Sequence, residues 1–363
     1  MLGEEKISGR QAVNLIITTL LSGSIIVTSA IHKQANRDSW LAILLSTALA
    51  LLAGTVIAAL GRRFPDQTII QYGRQLFGRL PGMALGLLFV VLFLYMSILI
   101  TRWVTELLIT MFMPDTPLVV FAISFVGVCA YGVRHGLDVL ARTNDIFLPV
   151  ALALLFFILI SNSPDMKIQN FFPVLEEGVM PVLKGALPQA AILAQSIIMV
   201  MLTPFLNKPR EVKGVIFRGV ITTGLLALLI MVSSISVLGN RTDRTMFVLL
   251  LLSRQINIGE VIERVEPFVL LLWLSIGVTS LGIFFFCTVL ATAQTFNLKE
   301  YKALVLPAGV LIITLSILLW EHNIEFMVQI VQVLPPFLLA LEAGLPLLLL
   351  VVAYLRGIGG VGK

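Results

Sequence analysis

The segment SNSPDMKIQNFFPVLEEGVMPVLKG, residues 161–185, lies near the middle of an oily chain and is rich in Pro, Gly and acids. Five apolar runs precede it, at about residues 11–31, 40–60, 81–110, 118–133 and 144–161. Five follow, at about 183–206, 215–238, 266–295, 303–320 and 335–355. A run of roughly 18 apolar residues is long enough to cross the hydrocarbon of a bilayer. If the two halves are structural repeats, an odd number of crossings makes the second begin on the opposite side, which is an inverted repeat. The expected fold is an all-α integral membrane protein of about ten transmembrane helices in two sets of five. The expected layout is a cytoplasmic end 1–10, a first repeat 11–161, an extracytoplasmic connection 162–182, a second repeat 183–355 and a cytoplasmic end 356–363.

Composition supports the lipid bilayer as the solvent. Of 363 residues, 58% are hydrophobic and 12% charged, against about 25% charged in soluble domains. Mean hydropathy is +1.01. The net charge of +5 does not signal nucleic acid, because the cations are sorted into short loops. With the amino terminus inside, the inner loops carry Arg62, Arg63, Arg74, Arg79, Lys208, Arg210 and Lys213 among others, about twice as many cations as the outer ones. No cleavable leader is expected before the first run, since no small-residue cleavage pattern follows it. Cys129 and Cys287 both fall in apolar runs and the three histidines lack ligand spacing, so neither a disulfide framework nor a metal centre is expected, and no cofactor. No nucleophile–base constellation points to an enzyme.

The runs differ in detail. The third and eighth, at about 30 residues, reach about 45 Å and must tilt or project. The fourth and fifth are short, and residues 133–143 either prolong them or form a bend. The outer segment 239–264 holds an amphipathic stretch at 245–258, readable as a surface helix, a cover over a vestibule or a structural cap.

Polar residues inside the runs are the candidate site. The first run, NLIITTLLSGSIIVTSAI, has Ser22, Gly23 and Ser24 near its middle. Such a triplet either interrupts the helix, exposing backbone groups to a ligand, or forms a close packing face. The sixth, LPQAAILAQSIIMVMLTPFLNKP, has Gln195 and Ser196 at its centre and a kink expected at Pro204. In a five-plus-five repeat these two runs correspond. Tyr95 lies in the third run, which also holds Arg102 and Glu106, four apart and able to pair. That pair is either an outer gate or a snorkelling arginine with its partner. Ser280, beside Thr279 and Gly282 in the eighth run, offers a hydroxyl to a ligand or to a neighbouring helix. Glu342 is the most isolated acid, in PPFLLALEAGLPLLLL, bracketed by Pro335, Pro336 and Pro346. It is a neutral acid, a proton-linked switch or a packing group with an internal donor.

Segments along the whole chain resemble the B subunits of bacterial spore germinant receptors, themselves related to amino acid permeases. The resemblance is carried by ANRDSW (35–40), RRFPDQTIIQYGRQLFGRLPG (62–82), YGVRHGLDVLARTNDIFLP (131–149), FFPVLEEGVMPVLKG (171–185), TPFLNKPREVKG (203–214) and INIGEVIERVEPFVLLLW (256–273). It implies an amino acid transporter-like fold with a site between interrupted first and sixth helices, lined by the third and eighth. The matching positions are Ser22, Gly23, Ser24, Ile25, Gln195, Ser196, Tyr95 and Ser280. It implies a sensor of a small nutrient, an amino acid above all, acting with A and C subunits in the spore inner membrane to trigger germination. The fifth run lacks the lysine that some related proton-coupled transporters carry, which fits a sensor that needs no turnover. A proton- or sodium-coupled amino acid transporter and a purely structural anchor of the receptor complex are the alternatives.

Overall fold

A computed structural model describes residues 5–244, 247–256 and 265–359. Residues 1–4, 245–246, 257–264 and 360–363, and with them parts of the two ends and of the 239–264 loop read from the sequence, lie outside the described residues. Nearly everything described is helical: α1 (Gly9–Ala35), α2 (Ser39–Arg63), α3 (Ile69–Phe77), α4 (Arg79–Met111), α5 (Leu118–His135), α6 (Leu137–Ser161), α7 (Met180–Ala194), α8 (Met199–Leu202), α9 (Val212–Leu238), α10 (Val248–Gln255), α11 (Glu266–Thr295), α12 (Val305–Leu318), α13 (Asn323–Val328), α14 (Leu334–Leu339) and α15 (Leu345–Leu355). Among the described residues, eight helical segments are long and apolar enough to span a membrane. One of them, Gly9–Arg63, reverses at a short 3₁₀ turn after Asn36 (φ 45°) and so makes two crossings, α1 and α2. The shorter apolar segment Lys302–Leu318 completes ten.

Much of the packing pattern is its own image when each crossing is exchanged with the one five places away, although the contacts of α11 with α1 and α6 have no counterpart of like extent. Crossing one (α1) packs on crossing seven (α9), and two (α2) packs on six (α7). Three and eight (α4, α11) pack on each other, as do four and nine (α5, α12) and one and six. The contact of one with five (α1, α6) is matched by six with ten (α7, α14). This exchange is the structural content of a five-plus-five inverted repeat.

Burial shows which crossings are central. An 18-residue apolar stretch of span six is 94% buried and one of α11 72%, against 28% for one in the last crossing. Large apolar side chains such as Leu52, Val91, Val128, Leu225 and Val310 stay exposed on the outer helices, as a lipid-facing surface requires.

Loops segregate to two ends. At one, Arg37 Nη1 donates to Phe172 O (2.5 Å), the Leu175 N–H to Asp38 (3.0 Å) and the Lys167 N–H to Ser236 O (3.0 Å). At the other, Arg63 Nη2 donates to Ala353 O (2.9 Å), Arg74 Nη1 to Asn297 Oδ1 (2.5 Å) and Arg356 Nη1 to Leu76 O (2.5 Å). The 161–185 and 62–79 connections therefore sit at opposite ends, as an even topology demands. Of the amphipathic outer stretch, the described part is α10, whose Val248, Leu249, Leu250 and Leu252 are buried against the bundle while Arg254 pairs with Glu266 (3.6 Å). It is a cap on the bundle.

Three expectations change. Segment 133–143 both extends its neighbours and bends, since only Gly136 (φ 104°) separates α5 from α6. The last crossing starts at Asn323, well before residue 335. The first helix is not interrupted: α1 runs unbroken through Ser22, Gly23 and Ser24. The physical reason lies in the hydroxyls. Thr18, Thr19, Ser22, Ser24 and Thr28 each return their O–H to a carbonyl three or four residues back, over 2.8–3.0 Å, and so satisfy themselves along the intact helix.

Glycines set the closest approaches. A Cβ at Gly219 in α9 would lie 2.5 Å from Ile16 Cγ2 of α1, whereas one at Gly127 in α5 would meet nothing within 4 Å. Gly219→Val is therefore expected to destabilise the detergent-solubilised protein by about 1–3 kcal/mol. Gly127→Ala should leave it unchanged or slightly more stable. Thermal unfolding of the two variants checks the pair.

Candidate ligand cavity between spans one and six

Span six is where the helical ladder gives way. Pro188 inside α7 has no N–H to give to the preceding turn, and α7 ends at Ala194. A 3₁₀ stretch, Gln195–Ile198, follows, then the single turn α8 and a second 3₁₀ turn, Thr203–Phe205, containing Pro204. Span ten is irregular too. It has π-helical turns at Gln329–Val333 and Ala340–Gly344. Each includes the residue whose carbonyl would pair with a missing proline N–H four positions on: Val331 for Pro335, Glu342 for Pro346.

Between these irregular stretches and α1 and α4 lies a cavity of about 50 Å³. Ser22 and Gly23 contribute one wall, Met96 and Ile100 a second, Pro188, Ile192 and Gln195 a third, and Leu334, Pro335 and Leu338 a fourth. Gly23 makes the wall possible, since a Cβ there would stand 2.8 Å from Ile192 side-chain carbons. The polar groups are few. Ser22 donates to Thr19 O (3.0 Å), and among the described residues Gln195 Nε2 finds only the Met96 sulfur, at 3.6 Å. Sulfur is a weak acceptor, so the Gln195 amide holds most of its hydrogen-bonding capacity in reserve. The free volume exceeds the ~10–15 Å³ one water needs and falls far short of the ~300 Å³ of the smallest usual ligand pockets. A ligand can enter only if the walls move.

Both ends are shut. At one, the chain before α1 is sewn to three elements: Glu5 accepts from the Leu137 N–H at the start of α6 (2.7 Å) and from Tyr301 Oη (3.3 Å), and Lys6 Nζ donates to Pro204 O (2.9 Å). Ile7 exchanges backbone bonds with Phe205 O (2.8 Å) and the Asn207 N–H (2.9 Å). Burial first, and the adjoining Glu5 carboxylate second, push the Tyr301 phenol up, so it stays the donor in its bond to Glu5. Above this strap a polar column joins α1 to α6: Asn14 Nδ2 donates to Asp145 (2.8 Å), and Thr18 shares its one hydroxyl proton between Asn14 O (3.0 Å) and Asn144 Oδ1 (2.8 Å). At the opposite end the Trp103 ring packs at a tilt against those of Trp273 (5.4 Å between centroids) and Phe247 (5.2 Å). Beyond lies an open hollow of about 660 Å³ whose lining includes Arg37, Lys167 and Arg241, with Asp165 the one acid among the described residues.

Of the residues singled out in the sequence, the structure brings Ser22, Gly23 and Gln195 together at the cavity. Ser196 is next to it, fully buried, its hydroxyl without a partner among the described residues. Ser24 turns elsewhere, donating to Leu20 O and accepting from Gln189 Nε2 (2.9 Å). Ile25 is core packing. Ser280 donates to Ile276 O and Thr18 O, tying α11 to α1 away from the cavity. Tyr95 adjoins the lining and accepts from Gln329 Nε2 (3.0 Å), whose amide oxygen accepts from Trp320. Arg102 pairs with Glu106 (3.3 Å) and donates to Ser316 O of α12 (3.3 Å). At 5% exposure Arg102 reaches into protein and does not snorkel. Pro204 closes span six under the strap, and Glu342 is fully buried in the second π turn. Sequence reasoning missed Gln189, Pro188 and the wall from α14. The first two carried a signal, a polar residue and a proline side by side in the sixth run, whereas the α14 wall is legible only once span ten is folded.

The fold is shared with solved transporters. MhsT in complex with L-phenylalanine superposes with a TM-score of 0.69 at 16% identity, covering 98% of this chain and 90% of that one. Mhp1, a nucleobase-cation-symport-1 family transporter in a closed conformation with bromovinylhydantoin bound, gives 0.65 at 14% identity, covering 98% and 84%. Among curated relatives, spore germination protein YndE of Bacillus subtilis is 28% identical over 97% of each chain. Spore germination protein KB of the same organism is 28% identical over 96% of this chain and 94% of its own. Residues 6–324 match the family model described as spore germination protein, and this multi-pass membrane protein belongs to that family.

Proposed function

We propose that the chain is the nutrient-sensing membrane subunit of a spore germinant receptor, with an amino acid as the ligand class and the cavity between spans one and six as its seat. The observation that carries this is Gln195: a buried amide whose N–H meets only a thioether, at the break in span six and opposite Ser22 and Gly23. A ligand carboxylate is the acceptor this amide lacks. The neighbour MhsT holds L-phenylalanine, which supports an amino acid on this fold. Because the cavity is too small as it stands, binding and wall movement are obligatorily linked, and a ligand shifts that balance by its affinity difference between forms, about 1.4 kcal/mol per tenfold preference.

The layout that goes with this reading is two repeats, 11–161 and 183–355, joined by an extracytoplasmic connection 162–182, with both ends in the cytoplasm of the spore's inner membrane. The cation-rich hollow is then the outer vestibule and the Glu5–Ile7 strap the inner closure. Receptor A and C subunits are the expected partners, reached through the exposed helix faces. Arg102, Glu106, Pro204 and Glu342 are proposed to govern the switch between forms, while Ser24, Ile25, Tyr95, Ser196 and Ser280 support the cavity. An autonomous amino acid transporter is the second reading, favoured by the same structural neighbours.

A thermal-shift or calorimetric screen of amino acids and nucleosides on the purified chain should find a binder whose affinity falls at least about tenfold in Gln195→Ala, matching about 1.5–3 kcal/mol for a hydrogen bond to a charged group. Gly23→Leu should abolish binding; unchanged affinity in both variants would sink the site. Reconstituted alone, the protein should bind this ligand without accumulating it in liposomes under a proton or sodium gradient, and accumulation would establish the transporter instead. For the layout, a membrane-impermeant thiol reagent on intact cells should label Asp165→Cys and spare Asp66→Cys; the reverse pattern would invert the topology.

A further inference from the structure

Glu342 is not explained by the cavity alone. It is fully buried, and neither carboxylate oxygen has a hydrogen-bond partner among the described residues. The π turn that carries it, Ala340–Gly344, packs against α2, α7 and the Gln195–Ile198 stretch of span six. In that stretch Ser196 is equally buried and equally unpartnered. Two orphaned polar groups thus sit on two irregular turns that touch each other. Gln195, adjacent to Ser196, and Leu338, one turn before Glu342, both line the cavity. Whatever moves those walls moves the surroundings of Glu342.

The charged and titratable groups on the elements around it stand far along their helices. Arg62 and Arg63 end α2, Lys184 lies in the second turn of α7, and Tyr354 is near the end of α15. Gln195–Ile198 and α14 carry none. No cation pairs with Glu342 among the described residues. An ionised carboxylate there would be a buried charge with no counter-charge, the arrangement membrane interiors tolerate least. A carboxylic acid is neutral and asks only for a place to aim one O–H.

We propose that Glu342 is a proton-binding site coupled to the cavity: the shut form described here holds the carboxylic acid, and movement of the Gln195–Ile198 stretch lets water reach it and accept its proton, leaving a carboxylate and a hydronium ion. Low pH then favours the shut form and high pH the open one. The inference stands whichever molecule fills the cavity, so its test needs no ligand.

Ala191 lines the cavity, and the native Cys129 and Cys287 are buried. In Ala191→Cys protein, labelling by a small methanethiosulfonate reagent is followed from acid to alkaline buffer, each rate divided by that of the denatured chain at the same pH to remove the thiol's own titration. The normalised rate should rise about tenfold, a shift of about 1.4 kcal/mol in the opening equilibrium. With Glu342→Gln added, the rise should vanish. The same pH profile in both proteins overturns the proposal, and so does a rate set by sodium concentration and indifferent to pH. Should the Gln variant fail to fold, infrared spectroscopy takes its place. The protein should show a carboxylic acid C=O band that shifts in Glu342→Asp and is lost as the pH is raised, and absence of a band that responds to this substitution overturns the proposal.

Discussion

Hydrocarbon offers no partner to a backbone N–H or C=O, and the structure is arranged around that fact. Regular α-helix is the rule wherever a crossing faces lipid, because the helix satisfies its own ladder. The departure in span six is covered by protein, whereas the first π turn of span ten, Gln329–Val333, has no buried residue. All four residues of the 3₁₀ stretch of span six are buried, and the second π turn of span ten packs against it. The cavity exists because two broken ladders have been brought together, and it is small because each must be covered by the other.

The two halves share much of their packing pattern yet treat their first helices differently. Span six breaks; α1 does not. In α1 the hydroxyls of Thr18, Thr19, Ser22, Ser24 and Thr28 are already committed to its own carbonyls. Span six carries prolines and an amide that bonds only to sulfur. One wall of the cavity is thus a stiff rod, and the opposite wall is the part with freedom to rewind. Motion is expected on the span-six side, where Gln189 and Ser24 give the two helices a polar pivot.

The closures are of a size that a small molecule can tip. The strap before α1 is held through Glu5, Lys6 and Ile7 by a handful of hydrogen bonds, each worth about 0.5–1.5 kcal/mol net. A ligand binding one form a hundredfold better than the other contributes about 2.7 kcal/mol, which is comparable. Arg102, paired with Glu106 in its own helix, ties α4 to α12 through Ser316 O.

Sequence by itself determined the solvent, the number of crossings and the division into two fives, because hydropathy and loop charge are read residue by residue and need no partner. It also placed a kink at Pro204 in span six and Glu342 near bends in span ten, since proline acts on its own helix through the N–H it lacks. The first helix could not be read that way. A Ser–Gly–Ser triplet permits either a break or a close contact, and only the position of Ile192, 2.8 Å from where a Gly23 Cβ would be, decided for contact. The same holds for Ser280 and Ile25, sound candidates by position whose side chains the neighbouring helices had already claimed. Which polar groups face a hollow and which face a partner depends on rotation and register between helices, and those are settled by packing across the bundle.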